Sequence, residues 1–315
     1  MKVLITGGLG FVGTNLISHL TKKGGYEIVV LDDESLGKRS HVEEPIQFLR
    51  GSICDRALVD QALVGVDAVV HLAAHTRVVE STQKPTYNFE VNVNGTFNLL
   101  SAMREAGIKR IVNASTGGAI LGEVPPPVHE EMVARPTAPY GASKLAVEGY
   151  CSAFSASYGM EAVSLRFSNV YGPRSFHKGS VVAAFYKNIL ANKPLVVYGD
   201  GSQIRDFVFV EDLCQGIEQA IVQDQITGVY QLGTGIPTSV NTLIDVMRQI
   251  ITDEYPIQVK YENFRLGELR ETYCDISKAR RELHFNPSTP LIEGLQITWD
   301  WFIHSFQSSK PKVLI

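Results

Sequence analysis

The first thirteen residues constrain this chain more than any other stretch. Lys2–Thr6 is a short strand-like run of Val, Leu and Ile that passes straight into Gly7-Gly8-Leu9-Gly10-Phe11-Val12-Gly13, and a helical pattern then runs to Lys23. Glycines at 7, 10 and 13 space the loop as GxxGxxG. A tight turn, a side-chain-free approach to a pyrophosphate and close helix–strand packing each require glycine, while the free N–H groups of the helix's first turn suit an anion. Such an opening predicts a strand–turn–helix unit, either a plain glycine-rich turn or a cradle for a phosphate-bearing ligand at the strand end.

The next strand, Ile28–Leu31, ends in Asp32-Asp33, and Asp32 lies nineteen residues beyond Gly13. A carboxylate there meets the ribose hydroxyls of an adenine dinucleotide and repels a 2′-phosphate, which favours NAD over NADP. A Walker-type loop needs Lys after its last glycine, and Thr14 stands there instead. The candidate cofactor contacts are therefore Gly7, Gly10, Phe11, Val12, Gly13, Asp32 and Asp33.

Further apolar runs at Ala68–Leu72, Arg110–Ala114 and Ala162–Phe167 alternate with helical patterns at Asp55–Leu63, Asn92–Glu105 and Tyr140–Tyr158. Runs of about five residues, apolar on both faces, suit buried parallel strands, so the fold class is α/β with a doubly wound parallel sheet. After Phe167 the regularity weakens. Helices at 181–191, 210–222, 240–252 and 291–306, with short strands at 195–198 and 229–232, predict a smaller interleaved α/β lobe. The division expected is a cofactor lobe over 1–167, with about 206–235 returning to it, and a substrate lobe over 168–205 and 236–315. Glu123–Pro139 carries five of the fourteen prolines and reads as an ordered loop near the site.

Composition narrows the function. A formal charge of −4, from 29 basic and 33 acidic residues, offers no basic field for nucleic acid. No apolar run approaches the roughly 20 residues that span a bilayer, and MKVLITGG turns to glycine too soon for a signal peptide, so a cytoplasmic location away from membranes is expected. Cys54, Cys151, Cys214 and Cys274 lie at least sixty residues apart and read as reduced thiols. His71 and His75 have metal-like spacing but fall on a strand and its loop without a third ligand, so no metal is expected.

Chemistry enters at Tyr140-Gly-Ala-Ser-Lys144. Residues four apart share a helix face, which sets an ammonium beside a phenol whose ordinary pKa is near 10 and predicts that Lys144 stabilises the phenolate. Strand Arg110–Ala114 ends in Ser115-Thr116, and either hydroxyl is placed to bond the oxygen that Tyr140 deprotonates.

With these three elements the sequence resembles the extended short-chain dehydrogenase/reductases, in particular their nucleotide-sugar epimerases and dehydratases. The resemblance continues through His71-Leu72-Ala73-Ala74-His75, the stretch beside the cofactor, through Arg77, a cation directed at it, and through Ile53, next to Ser52 where relatives often carry Asp against adenine. Asn92 matches an asparagine that supports the site near the nicotinamide. Asn169 matches a sugar-nucleotide contact, Arg205 and Arg265 match diphosphate ligands, and Glu268 matches an acid on the uridine ribose. Arginine's planar fork suits a diphosphate. Family dehydratases place Asp-Glu after the catalytic threonine, where this chain has Gly117-Gly118.

The resemblance therefore implies NAD-dependent C4 epimerisation of a UDP-hexose through a 4-keto intermediate, by a homodimer formed through the helices at 92–105 and 143–158. Thr272, where some members carry a bulky Tyr, leaves room for an N-acetyl group, so UDP-GlcNAc/UDP-GalNAc is expected beside UDP-Glc/UDP-Gal. A 4-ketoreductase and a UDP-glucuronate epimerase or decarboxylase are the enzymatic alternatives. A non-catalytic NAD-binding sensor or scaffold is the alternative of another class. His177 and Lys178, after Gly172-Pro-Arg174, read equally well as substrate contacts or as solvated loop residues.

Overall fold

The computed structural model describes residues 1–264 and 269–309. In chain order, β1 (Lys2–Thr6), α1 (Phe11–Lys23), β2 (Glu27–Asp32), β3 (Gln47–Arg50), α2 (Arg56–Ala62) and β4 (Ala68–His71) form the first half of the sheet. There follow α3 (Val78–Gln83), α4 (Pro85–Phe89), a π-helical turn at Glu90–Asn94, α5 (Gly95–Ala106), β5 (Arg110–Thr116), α6 (Gly117–Leu121), α7 (Pro139–Tyr158) and β6 (Glu161–Phe167). The remainder comprises β7 (Asn169–Tyr171), α8 (Val181–Leu190), β8 (Leu195–Tyr198), β9 (Ile204–Arg205), β10 (Phe207–Phe209), α9 (Val210–Val222), β11 (Gly228–Leu232), β12 (Thr238–Ser239), α10 (Val240–Ile250), β13 (Val259–Glu262), α11 (Ser277–Glu282) and α12 (Leu291–Ser309).

Seven strands pair in parallel in the order β11-β6-β5-β4-β1-β2-β3. The order reverses between β1 and β4, and in a sheet of this kind ligands bind at the carboxyl ends of the strands beside that reversal. Both faces are covered. Val3 and Ile5 pack with α1 and α9, whereas Leu4 packs with α2, α5 and α7. Val3, Leu4 and Ile5 are all fully buried, as a strand covered on both faces requires. A third cluster joins α8, α10 and α12 around Tyr186, Leu243 and Phe302, and it is built wholly from residues after 170.

Several elements differ from the sequence expectation. β3 escapes the apolar pattern because it is an edge strand of Gln-Phe-Leu-Arg with one buried residue, Leu49. The helix expected from Asn92 starts earlier, through α3, α4 and the π-helical turn, where one extra residue per turn breaks the 3.6-residue period. α6 was hidden by two consecutive glycines, and α10 stops two residues short of Thr252. The 123–139 segment is tied down by backbone bonds: Val128 N–H donates to Tyr273 (2.8 Å), Asp275 N–H to Val128 (2.9 Å) and Arg135 N–H to Ile120 (3.1 Å). Among the described residues no helix is long and apolar enough to cross a membrane.

Candidate active site

The glycine loop leaves β1 at the strand reversal. Gly7 has φ +68°, and a Cβ there would lie 2.5 Å from the backbone nitrogen of Ala73, so the loop touches the end of β4 with no room for a side chain. Gly13 is equally constrained, since its Cβ would meet the Gly8 carbonyl at 2.5 Å. The Asp32 carboxylate accepts from Leu9 N–H (3.0 Å) and Glu34 N–H (2.8 Å), fixing it beside the loop, and burial raises its pKa. These residues fit a dinucleotide: a side-chain-free cradle opening onto α1, with a placed carboxylate one strand away. Val12 lies in the first turn of α1, and Leu72, Ala73 and Ala74 follow β4 next to the cradle, each partly exposed. Ile53 is buried against Gly95.

Two candidate contacts are held by local pairs in this structure. Asp33 is exposed and accepts from Ser35 N–H (2.9 Å), which is a local turn. Exposed Arg77 pairs with Glu80 at 2.7 Å, one turn into α3.

A buried hydrogen-bond chain runs from β1 to the catalytic helix. Thr96 Oγ1 donates to the Asn92 carbonyl (2.6 Å), so it must accept from His71 Nε2 (2.8 Å), which leaves His71 Nδ1 to accept from Thr6 Oγ1 (2.8 Å). His71 is accordingly neutral, and burial followed by the nearby Lys144 charge lowers its pKa to about 3. Asn92, itself buried, accepts from His75 N–H (2.7 Å) and donates to the His75 carbonyl (3.1 Å) and to Ser143 Oγ (2.9 Å). Ser143 in turn donates to the Tyr140 carbonyl (2.8 Å). All these Asn92 bonds go to the protein, so the side chain locks the β4 loop to the first turn of α7.

Tyr140 and Lys144 lie on one face of α7. Lys144 Nζ donates to the Ala114 carbonyl (2.7 Å), joining the helix to the end of β5. Burial lowers the Lys144 pKa to about 8 and raises that of Tyr140 to about 12. Desolvation governs the phenol in this structure, and the one bond to Ala114 leaves the Lys144 ammonium two further donors.

β5 separates its two terminal hydroxyls. Ser115 is buried and donates to Glu148 Oε1 (2.6 Å), whose carboxylate also receives Arg166 Nε (2.9 Å) and Nη2 (2.8 Å). Thr116 is partly exposed, and its hydroxyl has no hydrogen-bond partner among the described residues. Glu148 was missed by the motif reading. The available signal was its place four residues beyond Lys144, continuing the face of Tyr140 and Lys144.

On the opposite wall, a Cβ at Gly118 would lie 3.5 Å from Leu269 Cδ1 and 3.6 Å from Thr272 Oγ1, so Thr272 hangs over the end of β5. Asn169 is exposed on β7, which pairs with β10. Arg205 lies on β9, which pairs with β12, and donates to the Ile204 carbonyl (2.8 Å). Arg265 and Glu268 fall outside the described residues.

A parallel sheet with a glycine cradle at one strand end, an unbonded Thr hydroxyl at another, and Tyr and Lys on the helix fastened to that second strand defines a short-chain dehydrogenase-type site. Residues 3–233 match the model of the NAD dependent epimerase/dehydratase family. The chain is 32% identical to UDP-glucose 4-epimerase of Mycolicibacterium smegmatis, over 98% of this chain and 100% of that one. The crystal structure of UDP-glucose 4-epimerase from Thermotoga maritima with UDP-glucose superposes with a TM-score of 0.92 at 32% identity, covering 97% of this chain and 100% of that one. UDP-glucuronic acid 4-epimerase from Bacillus cereus, in complex with UDP-glucuronic acid and NAD, gives 0.88 at 28% identity, covering 97% and 100%. The chain belongs to the NAD-dependent epimerase/dehydratase family, and it is an isomerase of the nucleotide-sugar epimerase group.

Proposed function

We propose that this enzyme inverts C4 of a UDP-hexose by reversible oxidation. The observation that carries the reading is that Lys144 fixes α7 to the end of β5 through Ala114, while the Thr116 hydroxyl of β5 and the Tyr140 phenol of α7 have no hydrogen-bond partner among the described residues. Tyr140 takes the proton of the C4 hydroxyl and later returns it, while Thr116 holds the same oxygen. NAD, when bound, supplies the hydride acceptor, the donor for its return, and a positively charged ring. Lys144 holds α7 to β5 through Ala114 and carries a cation next to the site.

Gly117 and Gly118 offer no acid or base for elimination, which favours epimerisation over dehydration. Asn169 and Arg205, in the lobe formed by 168–205 and 236–315, anchor the UDP portion and leave the hexose free to turn about its diphosphate link. Thr272 over Gly118 leaves space for a 2-acetamido group. The subunits pair through α5 and α7, whose Phe97, Tyr150 and Tyr158 are 45%, 40% and 48% exposed. Incubating the purified protein separately with UDP-glucose, UDP-GlcNAc and UDP-glucuronate, with no added cofactor, tests the assignment. The C4 epimers of the first two should form, and no epimer from any of them would contradict it. Sedimentation at micromolar concentration should give the mass of a dimer.

A further inference from the structure

The loop between β7 and α8 carries positive charge that the proposed reaction does not use. Many bonds fix it in place. Ser175 Oγ donates to the Gly172 carbonyl (2.7 Å), Lys178 N–H to the Ser175 carbonyl (2.9 Å) and Lys187 Nζ to the Lys178 carbonyl (2.7 Å). Three more reach the opening of the molecule: Asn15 Nδ2 donates to the Pro173 carbonyl (3.0 Å), Arg174 Nη1 to the Thr14 carbonyl (2.6 Å) and Arg174 Nη2 to Glu44 (3.1 Å). The loop is thereby fastened to the first turn of α1.

Its placement brings Lys178 Nζ to 4.6 Å from the ring centroid of Phe11, the first residue of α1. Among the described residues no carboxylate pairs with that ammonium, and burial lowers its pKa to about 8. His177, beside it, is depressed first by burial and then by the charges of Lys178, His41, Lys187 and Arg77. Among the described residues, only Arg77 of these cations has a carboxylate partner, Glu80. An ammonium without a carboxylate beside the free N–H groups of a helix start, with further cations acting on the adjoining His177, is stabilised by an anion placed there.

We propose that Lys178 is a binding residue for the diphosphate of the dinucleotide, reaching from the substrate lobe across Phe11 to the glycine loop. The inference rests on NAD dependence and on no particular sugar. A diphosphate also occurs in a UDP-sugar, but the ammonium sits over Phe11 inside the GxxGxxG loop, which favours the cofactor. One consequence is that the loop following Asn169 holds NAD as well as bordering the substrate.

The test uses the whole protein with Lys178→Met and Lys178→Arg, each stripped of cofactor and titrated with NAD and, separately, with UDP. Thermal melts of both variants within a few degrees of the parent establish that the loop stays folded. Lys178→Met should weaken NAD binding roughly tenfold or more, as expected for a lost charge-assisted bond, and leave UDP affinity unchanged, whereas Lys178→Arg should restore most of the loss. Unchanged NAD affinity in Lys178→Met overturns the proposal. A loss confined to UDP also overturns it and assigns the lysine to the substrate's diphosphate.

Discussion

Arg166 grips Glu148 with two nitrogens, Nε at 2.9 Å from Oε1 and Nη2 at 2.8 Å from Oε2, in a pair that leaves each side chain 5% exposed. Ser115 completes it from the neighbouring strand. The pair joins β6 to α7 one turn beyond Lys144, so the helix bearing the proposed catalytic groups is held by charge as well as by packing. Removing one partner strands the other in the interior. Glu148→Ala should cost about 3–5 kcal/mol of unfolding free energy in urea, and Glu148→Leu with Arg166→Met should recover much of it. A Glu148→Ala loss below about 1 kcal/mol would show that the pair is not what anchors α7.

Ser115 and Thr116 are adjacent in sequence, but one hydroxyl is bonded to a buried carboxylate and the other has no partner among the described residues. Thr116→Val should lower kcat about 100-fold with little change in stability, because its hydroxyl has no partner within the described chain. Ser115→Ala should leave kcat within a few-fold and cost about 1–3 kcal/mol, because its bond goes to a buried carboxylate. Steady-state rates and urea midpoints on both variants separate the roles.

His71 makes the fold sensitive to acid. Its folded pKa of about 3 lies below the ordinary 6.5, so between those values the unfolded chain binds a proton that the folded chain does not. Stability attributable to His71 is complete above pH 6.5 and falls as pH drops towards 3, by about 2 kcal/mol at pH 5. His71→Gln, which retains hydrogen-bonding capacity without titrating, should lose less stability than the parent between pH 7 and pH 5 in paired urea titrations. Equal losses in the two proteins would contradict the buried neutral imidazole.

We propose that the side chain at position 272 sets the room for the sugar's 2-substituent. With its Oγ1 close above Gly118, a tyrosine at this position fills the same space. Thr272→Tyr should lower kcat/KM for UDP-GlcNAc at least tenfold more than for UDP-glucose. An equal effect on both sugars would remove Thr272 from the specificity wall.

The cofactor half of the site was legible because its constraints are local. Gly7, Gly13 and Asp32 announce themselves by spacing, since a turn, a helix start and a strand end set fixed sequence separations. The Tyr140–Lys144 pair was legible for the same reason. What escaped depends on partners far along the chain. Nothing near Ser115 signals that its hydroxyl belongs to Glu148, and the Arg166 that holds Glu148 comes from another strand. Asn92 was legible by resemblance only, because its links to His75 and Ser143 depend on a π-helical turn that periodicity misreads. Among the small elements, β3 and α6 were lost to an edge pattern and to glycine.

In the proposed reaction hydrogen leaves C4 of the sugar and returns to C4. UDP-glucose deuterated at C4, incubated with the protein in ordinary water, tests it most directly. UDP-galactose that keeps the deuterium at C4 should form, more slowly than from unlabelled substrate. Epimer that has exchanged its label with water would contradict it.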